Sequence, residues 1–538
     1  MDRRTLLKRA ALLAGLPVLQ SCERVLSWGL PVRVNRPGMA AGHQLRNGMQ
    51  PPAPIQTHRC DVAIIGSGAA GLFAGWRLAK SGLTDVVILN GPEPDGNAAG
   101  GAFGDYRYPT GAHYLPLPSA ESTHVRELLA DMGVIEGDPF TTRPVYDERV
   151  LVHAPDERLW VDGQWQSGLM PHLGQDATAL AEQARFLAEV AHLRSKRGSD
   201  GRKVFCIPLA LSSTDPAYTR LDQMSFAVWL DTRGYRSAGL RWYLDYCCRD
   251  DYGSDLAHTS AWAGLHYFCS RHGQAANAED GAVLTWPDGL SPLIRHMRSR
   301  IGTARQWPGM AWRVQDSAQG VSVDFLDDRG QSQRLIARKV ILAVPLHVAL
   351  HLYPQMADIG FTRDHLPPRA PWLVGNFLID QFPYEPIDMP LAWDNVVYGS
   401  HSLGYVVSTH QMILQGKPPM SVFTAYHAFA DADPLATRRW LEHAPDDALF
   451  DVISDDLHTV YGWRFRQNLT KAELTVRAHA MASPSPGFLA NTGLHALRNH
   501  DGAVLFAHSD LSGLSLFEEA SWWGEQAAQR ILQSSHVA

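Results

Sequence analysis

The sequence predicts an α/β fold, and three observations carry that prediction. A short apolar run, Val62 to Ile65, leads straight into Gly66-Ser67-Gly68-Ala69-Ala70-Gly71, after which Leu72, Leu78 and Ala79 can serve the sheet-facing side of a helix. A second apolar run, Val86-Val-Ile-Leu89, follows one helix-length later and ends at Asn90. The 538 residues are 45% hydrophobic and 19% charged, the balance of a large, well-cored globular chain rather than a disordered one. Lys and Arg total 48 against 55 Asp and Glu, so the net charge of −7 gives no electrostatic reason to coat nucleic acid.

The chain starts with what reads as an address. Residues 1–22 run from basic Arg3-Arg4 through an apolar stretch to Gln20-Ser-Cys22, the pattern of an export signal. The stretch is shorter than the ~20 residues a permanent membrane helix needs. Arg3-Arg4 followed by Leu6, Leu7 and Lys8 is similar to a bacterial twin-arginine signal, which carries folded proteins to the periplasm. Leu19-Gln-Ser-Cys22 is similar to a lipoprotein cleavage box, which would tether the chain to a membrane through Cys22. Residues 23–57, with several Pro and Gly and no sustained period, read as a tether or surface arm.

The nucleotide-binding reading rests on G-x-G-x-x-G at a strand-to-helix junction. Gly66 permits the tight turn, Gly68 lets a diphosphate approach the backbone, and Gly71 lets the helix pack closely on the sheet. Free N–H groups at the helix start and the helix dipole favour phosphate there. Asn90 stands where such units place a carboxylate for the ribose hydroxyls, so it offers an uncharged acceptor. Six cysteines, none in a C-x-x-C pair, give no support to a metal or disulfide framework, and Cys247 and Cys248 read as buried small groups.

Further motifs follow in an order that resembles the flavin-containing amine oxidase superfamily, which also holds protoporphyrinogen oxidases and phytoene desaturases. They are Gly100-Gly101, Tyr108-Pro-Thr-Gly111-Ala112-His113, Leu284-Thr-Trp-Pro-Asp-Gly289 and Lys339-Val-Ile-Leu-Ala-Val-Pro345. Val504-Leu-Phe-Ala-His-Ser-Asp510 and Phe517-Glu-Glu-Ala-Ser-Trp-Trp-Gly524 close the series. The resemblance implies FAD as cofactor. Gly66, Ser67, Gly68, Ala70, Gly71, Asn90, Gly100 and Gly101 would hold its nucleotide and diphosphate. Gly111, Ala112 and His113 would run beside the flavin ring, with Asp510 near the ribityl chain. The amides of Ser515, Leu516 and Phe517 would face the ring edge that gains negative charge on reduction.

Motifs over 400 residues apart must then touch one cofactor, so the Rossmann-like domain is expected to be discontinuous, with an α+β substrate domain inserted. The expected division is FAD-binding 58–165, 281–349 and 491–538, and substrate-binding 166–280 and 350–490. Strands at Arg149-Val-Leu-Val152 and Arg158-Leu-Trp-Val161, with Asp162-Gly163 as a turn, are expected near the first crossover. Leu180, Ala184, Leu187 and Ala191 mark a helix in the inserted part.

Two departures from the family bear on chemistry. No Lys lies between Lys339 and Lys417 to stand beside flavin N5, and Leu516 occupies a position that is aromatic in many amine oxidases. The substrate side is nominated from strand-like, aromatic-rich stretches: Trp393, Tyr398, Tyr405 and His410 for the pocket, with His113, Tyr405 and His410 as candidate catalytic groups. The expected activity is hydride transfer from a C–N or C–C bond of a small molecule to flavin N5, with oxygen or another acceptor restoring the flavin. Two alternatives stand beside it: a desaturase or isomerase of a large apolar lipid, and a flavoprotein that binds without catalysing.

Overall fold

The computed structural model describes residues 24–154, 156–381, 385–386, 388–412 and 419–535. The expected export signal and Cys22 lie outside them. Two sheets organise the described chain. In the first, Thr57–Ile65 lies between Val86–Leu89 and Ser332–Leu342, parallel to both. These strands are buried on both faces, which is why they read as unbroken apolar runs. Val504–Phe506 pairs parallel with the other edge of Ser332–Leu342, so Leu342 is in register with both Ile65 and Phe506. Segments far apart in the chain therefore end side by side.

The helix Ala69–Lys80 packs along the closing helix Phe517–Ser535. Gly524 is the contact: a Cβ there would overlap the carbonyl oxygen of Ala70. Trp523, buried on the same helix, donates its indole N–H to Ser512 Oγ at 2.7 Å.

The second sheet has nine strands among the described residues. Its order runs Arg24–Val25, Pro31–Asn35, Leu469–Ala482, Arg369–Asp380, Met420–Ala428, Tyr405–Val407, Asp394–Val397, Glu157–Val161 and Gln164–Ser167. Two expectations are corrected here. The segment 23–57 is not simply a tether: Pro31–Asn35 pairs parallel with Leu469–Ala482, and Leu26, Leu30 and Val32 are buried. Those backbone partners lie over 400 residues away, so no local signal announces them.

The hairpin before residue 168 belongs to this second sheet, through Glu157–Val161 and Asp394–Val397, rather than to the first. Its turn is Asp162-Gly163, with φ of 48° and 83°, joining Glu157–Val161 to Gln164–Ser167. Positive φ at both residues is the two-residue turn whose twist matches paired strands. Residues 148–150 form a single 3-10 turn instead of a strand.

Alternation sorts the sheet into two faces. Leu373, Phe377, Tyr405, Val407, Phe423 and Ala425 point to the back, where Pro434–His443, Asp446–Tyr461 and Trp463–Asn468 seal them. Trp372, Val374, Val396, Val406 and Tyr426 point to the front. A block of helices covers that front, including Ala177–Arg194, Ala238–Tyr252 and Ala261–Ser270. The helix expected from Leu180, Ala184, Leu187 and Ala191 is Ala177–Arg194; its buried face is Gln183, Phe186 and Val190, while Leu180 and Leu187 are exposed.

Candidate functional site

The glycine motif is built as its spacing predicts. Gly66 has φ +106°, and a side chain there would overlap the Ala343 carbonyl. At Gly71 an added Cβ would overlap the Gly66 carbonyl oxygen, so only glycine lets this helix approach its strand. Gly68 is the reverse: a Cβ there meets nothing within 4 Å, and the position keeps accessible surface. The amides of Ser67, Gly68, Ala69 and Ala70 have no acceptor among the described residues, and Gly68 caps the helix without a side-chain bond. Such unpaired donors at a helix start suit an anion.

A second set of free amides lies at the start of the closing helix. Ser515, Leu516 and Phe517 donate to nothing described, while Leu516 O accepts the first helical bond from Ala520. Ser515 Oγ accepts from Ala482 N at 2.7 Å, tying this helix start to the second sheet. Gly524, which touches Ala70, lies about 10 Å further along the helix from Phe517. The two amide sets thus stand apart by about the reach of a sugar-alcohol chain. Glu93, Gly111, Ala112, His113 and Tyr114 all keep accessible surface. Two amide sets at this separation would bracket a groove for an elongated nucleotide, with a diphosphate at one end and a ring at the other.

Several cofactor assignments need correction. Asp510 is 1% exposed, and its two oxygens are occupied by Arg369 Nη1 and by Leu346 N at 3.0 Å. Burial by itself would raise its carboxyl, but the guanidinium of Arg369 and then His508 hold it far below the usual range. As placed, Asp510 ties the two sheets together and does not face the groove. Asn90 Oδ1 accepts from Arg298 Nη1 at 3.3 Å, and Arg298 also reaches Ser67 Oγ and Asp95. The uncharged acceptor is therefore already engaged by a basic side chain. Ser67 turns its hydroxyl inward to Asn90 O at 3.0 Å, leaving only its backbone for a ligand. The approach to Gly68 comes from Gly96, whose added Cβ would lie 3.6 Å from Gly68 Cα. Gly100 and Gly101 instead make room for Asp288 and the Tyr108 ring.

Aromatic side chains gather beside Gly111–His113. Tyr426 donates to Gly111 O at 3.0 Å and stacks on His113, with ring centroids 4.6 Å apart. Trp393 lies 5.6 Å from His113 and 6.1 Å from Tyr114. Tyr398 packs edge-on to Trp242 at 4.7 Å, and Trp242 stacks on Tyr246 at 5.8 Å. Burial raises Tyr114, Tyr243, Asp250, Tyr267 and Asp394 above their ordinary ranges, yet each keeps some accessible surface, so they line a recess within the protein. Burial lowers His113 to about 3, which leaves it a neutral ring at physiological pH.

The structure thus brings together His113, Trp393 and Tyr398. It excludes Tyr405, which is 1% exposed on the back face and hydrogen-bonds to Tyr461 at 2.7 Å. Alternation fixes which strand residues share a face but not which face meets the groove. His410 is also outside the ring cluster; its Nε2 is held by His153 O at 2.9 Å in the loop after that strand. The residues missed are Tyr114, Tyr246, Asp250, Asp394 and Tyr426. One signal was available: Trp242, Tyr246 and Asp250 recur every four residues, one face of a helix.

Comparison with known proteins agrees with this architecture. A family model for the NAD(P)-binding Rossmann-like domain matches residues 64–132, the first glycine-rich unit. No curated protein sequence matches the chain. A putrescine oxidase variant superposes with a TM-score of 0.64 at 16% identity, covering 89% of this chain and 100% of its own. The cyclohexylamine oxidase from Brevibacterium oxydans IH-35A gives 0.59 at 17%, covering 89% and 99%. The chain has the amine oxidase fold. A CLA-producing fatty acid isomerase from P. acnes superposes as well, at 0.60 and 17%, covering 88% of this chain and 98% of that one. An amine oxidase fold is therefore not confined to one reaction, and the chemistry must be argued from the groove and the chamber.

Proposed function

We propose that this chain is an exported FAD-dependent oxidoreductase that removes hydride from the carbon beside an amine nitrogen. The observation that carries the reading is the pair of free amide clusters at two helix starts, which an elongated dinucleotide would bridge, together with an aromatic cluster that holds carboxylates. Bound FAD supplies the hydride acceptor, and oxygen or another acceptor restores it. The chain's own part is positioning and electrostatics. The amides of Ser67 to Ala70 take the diphosphate, and those of Ser515 to Phe517 face the ring edge where charge accumulates. Gly111 to His113 lie along the ring, and Trp393, Tyr398 and Tyr426 hold the donor carbon against it while excluding water.

Named relatives of this fold act on putrescine and cyclohexylamine, which supports an amine donor. The isomerase relative would suit a large apolar lipid. Asp250 and Asp394 weigh against that here, since an acyl chain leaves buried carboxylates unsolvated. The twin-arginine-like start implies loading of FAD before export, with Cys22 as the anchor to the membrane.

The test is an absorbance spectrum of purified protein, followed by an anaerobic screen of amines for bleaching of the flavin band. A yellow protein bleached by amines is the expected result. A folded, colourless protein that takes up no FAD would end the reading, and bleaching by fatty acids alone would transfer it to lipid chemistry.

A further inference from the structure

One buried cation stands near the second amide set without a role in the reading above. Arg271 follows the helix Ala261–Ser270, and its side chain is 15% exposed. Its Nη2 is ion-paired with Asp251, and the guanidinium carbon lies 4.1 Å from the centre of the Tyr267 ring. Nε and Nη1 are buried and have no hydrogen-bond partner among the described residues. A cation that served only to end the helix would spend these donors on its last carbonyls. Left unpaired, they cost stability that a purely structural residue would not give up.

Hydrogen bonds connect this cation to the start of the closing helix. Ala482 N donates to Ser515 Oγ at 2.7 Å, and the next residue, Ser483, donates its hydroxyl to Tyr252 O at 2.8 Å. Asp251, the partner of Arg271, directly precedes Tyr252. Two hydrogen bonds and one ion pair thus lead from the free amides of Ser515–Phe517 to the guanidinium. Tyr267, whose ring the guanidinium covers, belongs to the recess.

The charge of Arg271 is only partly offset. Burial opposes it, but Asp251 holds the guanidinium well above its ordinary range, so it stays protonated. Asp250 and Glu518, two further acids in its field, are pushed up to about 7 by burial and carry part of a negative charge at neutral pH.

We infer that Arg271 is the fixed positive charge of the flavin site: it offsets the negative charge that the ring gains on reduction, and Asp251 sets how much of that cation the ring feels. The inference rests on the FAD reading and adds a residue pair to it. The amides at the helix start contribute partial charges, whereas Arg271 contributes a full one in surroundings that screen it poorly.

The test measures the midpoint potential of the bound flavin, by anaerobic reduction of the FAD-loaded protein against a dye of known potential. Arg271→Gln should move the two-electron reduction equilibrium toward the oxidised ring by about tenfold, which is about 30 mV. Asp251→Asn should move it the other way by a similar factor, because it unmasks the guanidinium. Arg271→Lys keeps the charge and should retain the potential of the unaltered protein. A pair that only supports the fold would lower the unfolding temperature in both variants without opposite shifts in potential. The flavin-to-protein absorbance ratio checks that each variant holds FAD, and Asp251→Asn alone decides if Arg271→Gln does not fold. Shifts of the same sign, or potentials unchanged in both variants, would overturn the inference and leave FAD binding standing. A folded protein that takes up no FAD would remove the cofactor reading and this inference with it.

Discussion

The groove and the chamber meet at Gly111–His113, yet they are built by opposite means. The groove is backbone: glycines that admit close contact at Gly66 and Gly71, and amides left free where two helices begin. The chamber is side chains, drawn from a turn at 113–114, a helix face at 242–250, a second helix at 267 and two strands at 394 and 426. Backbone devices depend on short, local sequence patterns. Convergent side chains depend on which faces the tertiary fold turns inward.

The comparison breaks first, and most severely, at the glycines. Gly71→Ala places a methyl on the Gly66 carbonyl and should prevent a stable holoprotein from forming. Gly68→Ala meets no protein atom within 4 Å, so the fold should survive while the methyl enters the space for the diphosphate. The expected outcome is FAD affinity lower by about tenfold or more with an unchanged far-UV spectrum. Equal tolerance of both substitutions would show that the backbone does not form the cofactor cradle.

Next in size is Asp510→Asn. It leaves Arg369 buried beside a neutral amide, with a cost of about 3 kcal/mol in thermal or denaturant unfolding. Because the folded carboxyl is held below its unfolded value, its contribution is complete above the ordinary Asp range and is lost as pH falls below it. The variant should therefore show a smaller stability deficit at acidic than at neutral pH. A deficit that is the same at both would refute the charge pairing.

Glu519 provides the contrary case. It is enclosed, and although Ser512 Oγ and Leu209 N donate to it, burial raises it to about 7. A raised folded pKa stabilises fully below the unfolded value, near 4.3, and that contribution declines as pH rises through about 7. Glu519→Gln should thus be nearly neutral at pH 5 and stabilising by about 2 kcal/mol at pH 8. Unfolding curves at the two pH values decide it.

What could be read from sequence follows the same division. Strand, glycine turn and helix over 62–80 are local, and so is the Asp162-Gly163 turn, so periodicity and residue type suffice. Pro31–Asn35 was obscured because, apart from the two-residue strand Arg24–Val25, its partner is a strand beginning at Leu469. Asp510 was placed correctly beside the end of the first sheet, but its role depends on Arg369, which arrives from the inserted sheet.

Tyr405 gives the smallest effect and the sharpest test of the two faces. It and Tyr398 both looked like pocket residues, being tyrosines at the ends of aromatic-rich runs. Tyr405 is hydrogen-bonded to Tyr461 behind the sheet, whereas Tyr398 packs on Trp242 in front of it. Tyr405→Phe should lower stability by about 1 kcal/mol through loss of that bond, with KM and kcat for the amine unchanged. Tyr398→Ala should instead raise KM, because it removes a ring supporting the Trp242–Tyr246 stack that lines the chamber. If Tyr405→Phe altered KM with stability intact, the assignment of front and back would have to be reversed across the whole sheet, since alternation couples every residue along it.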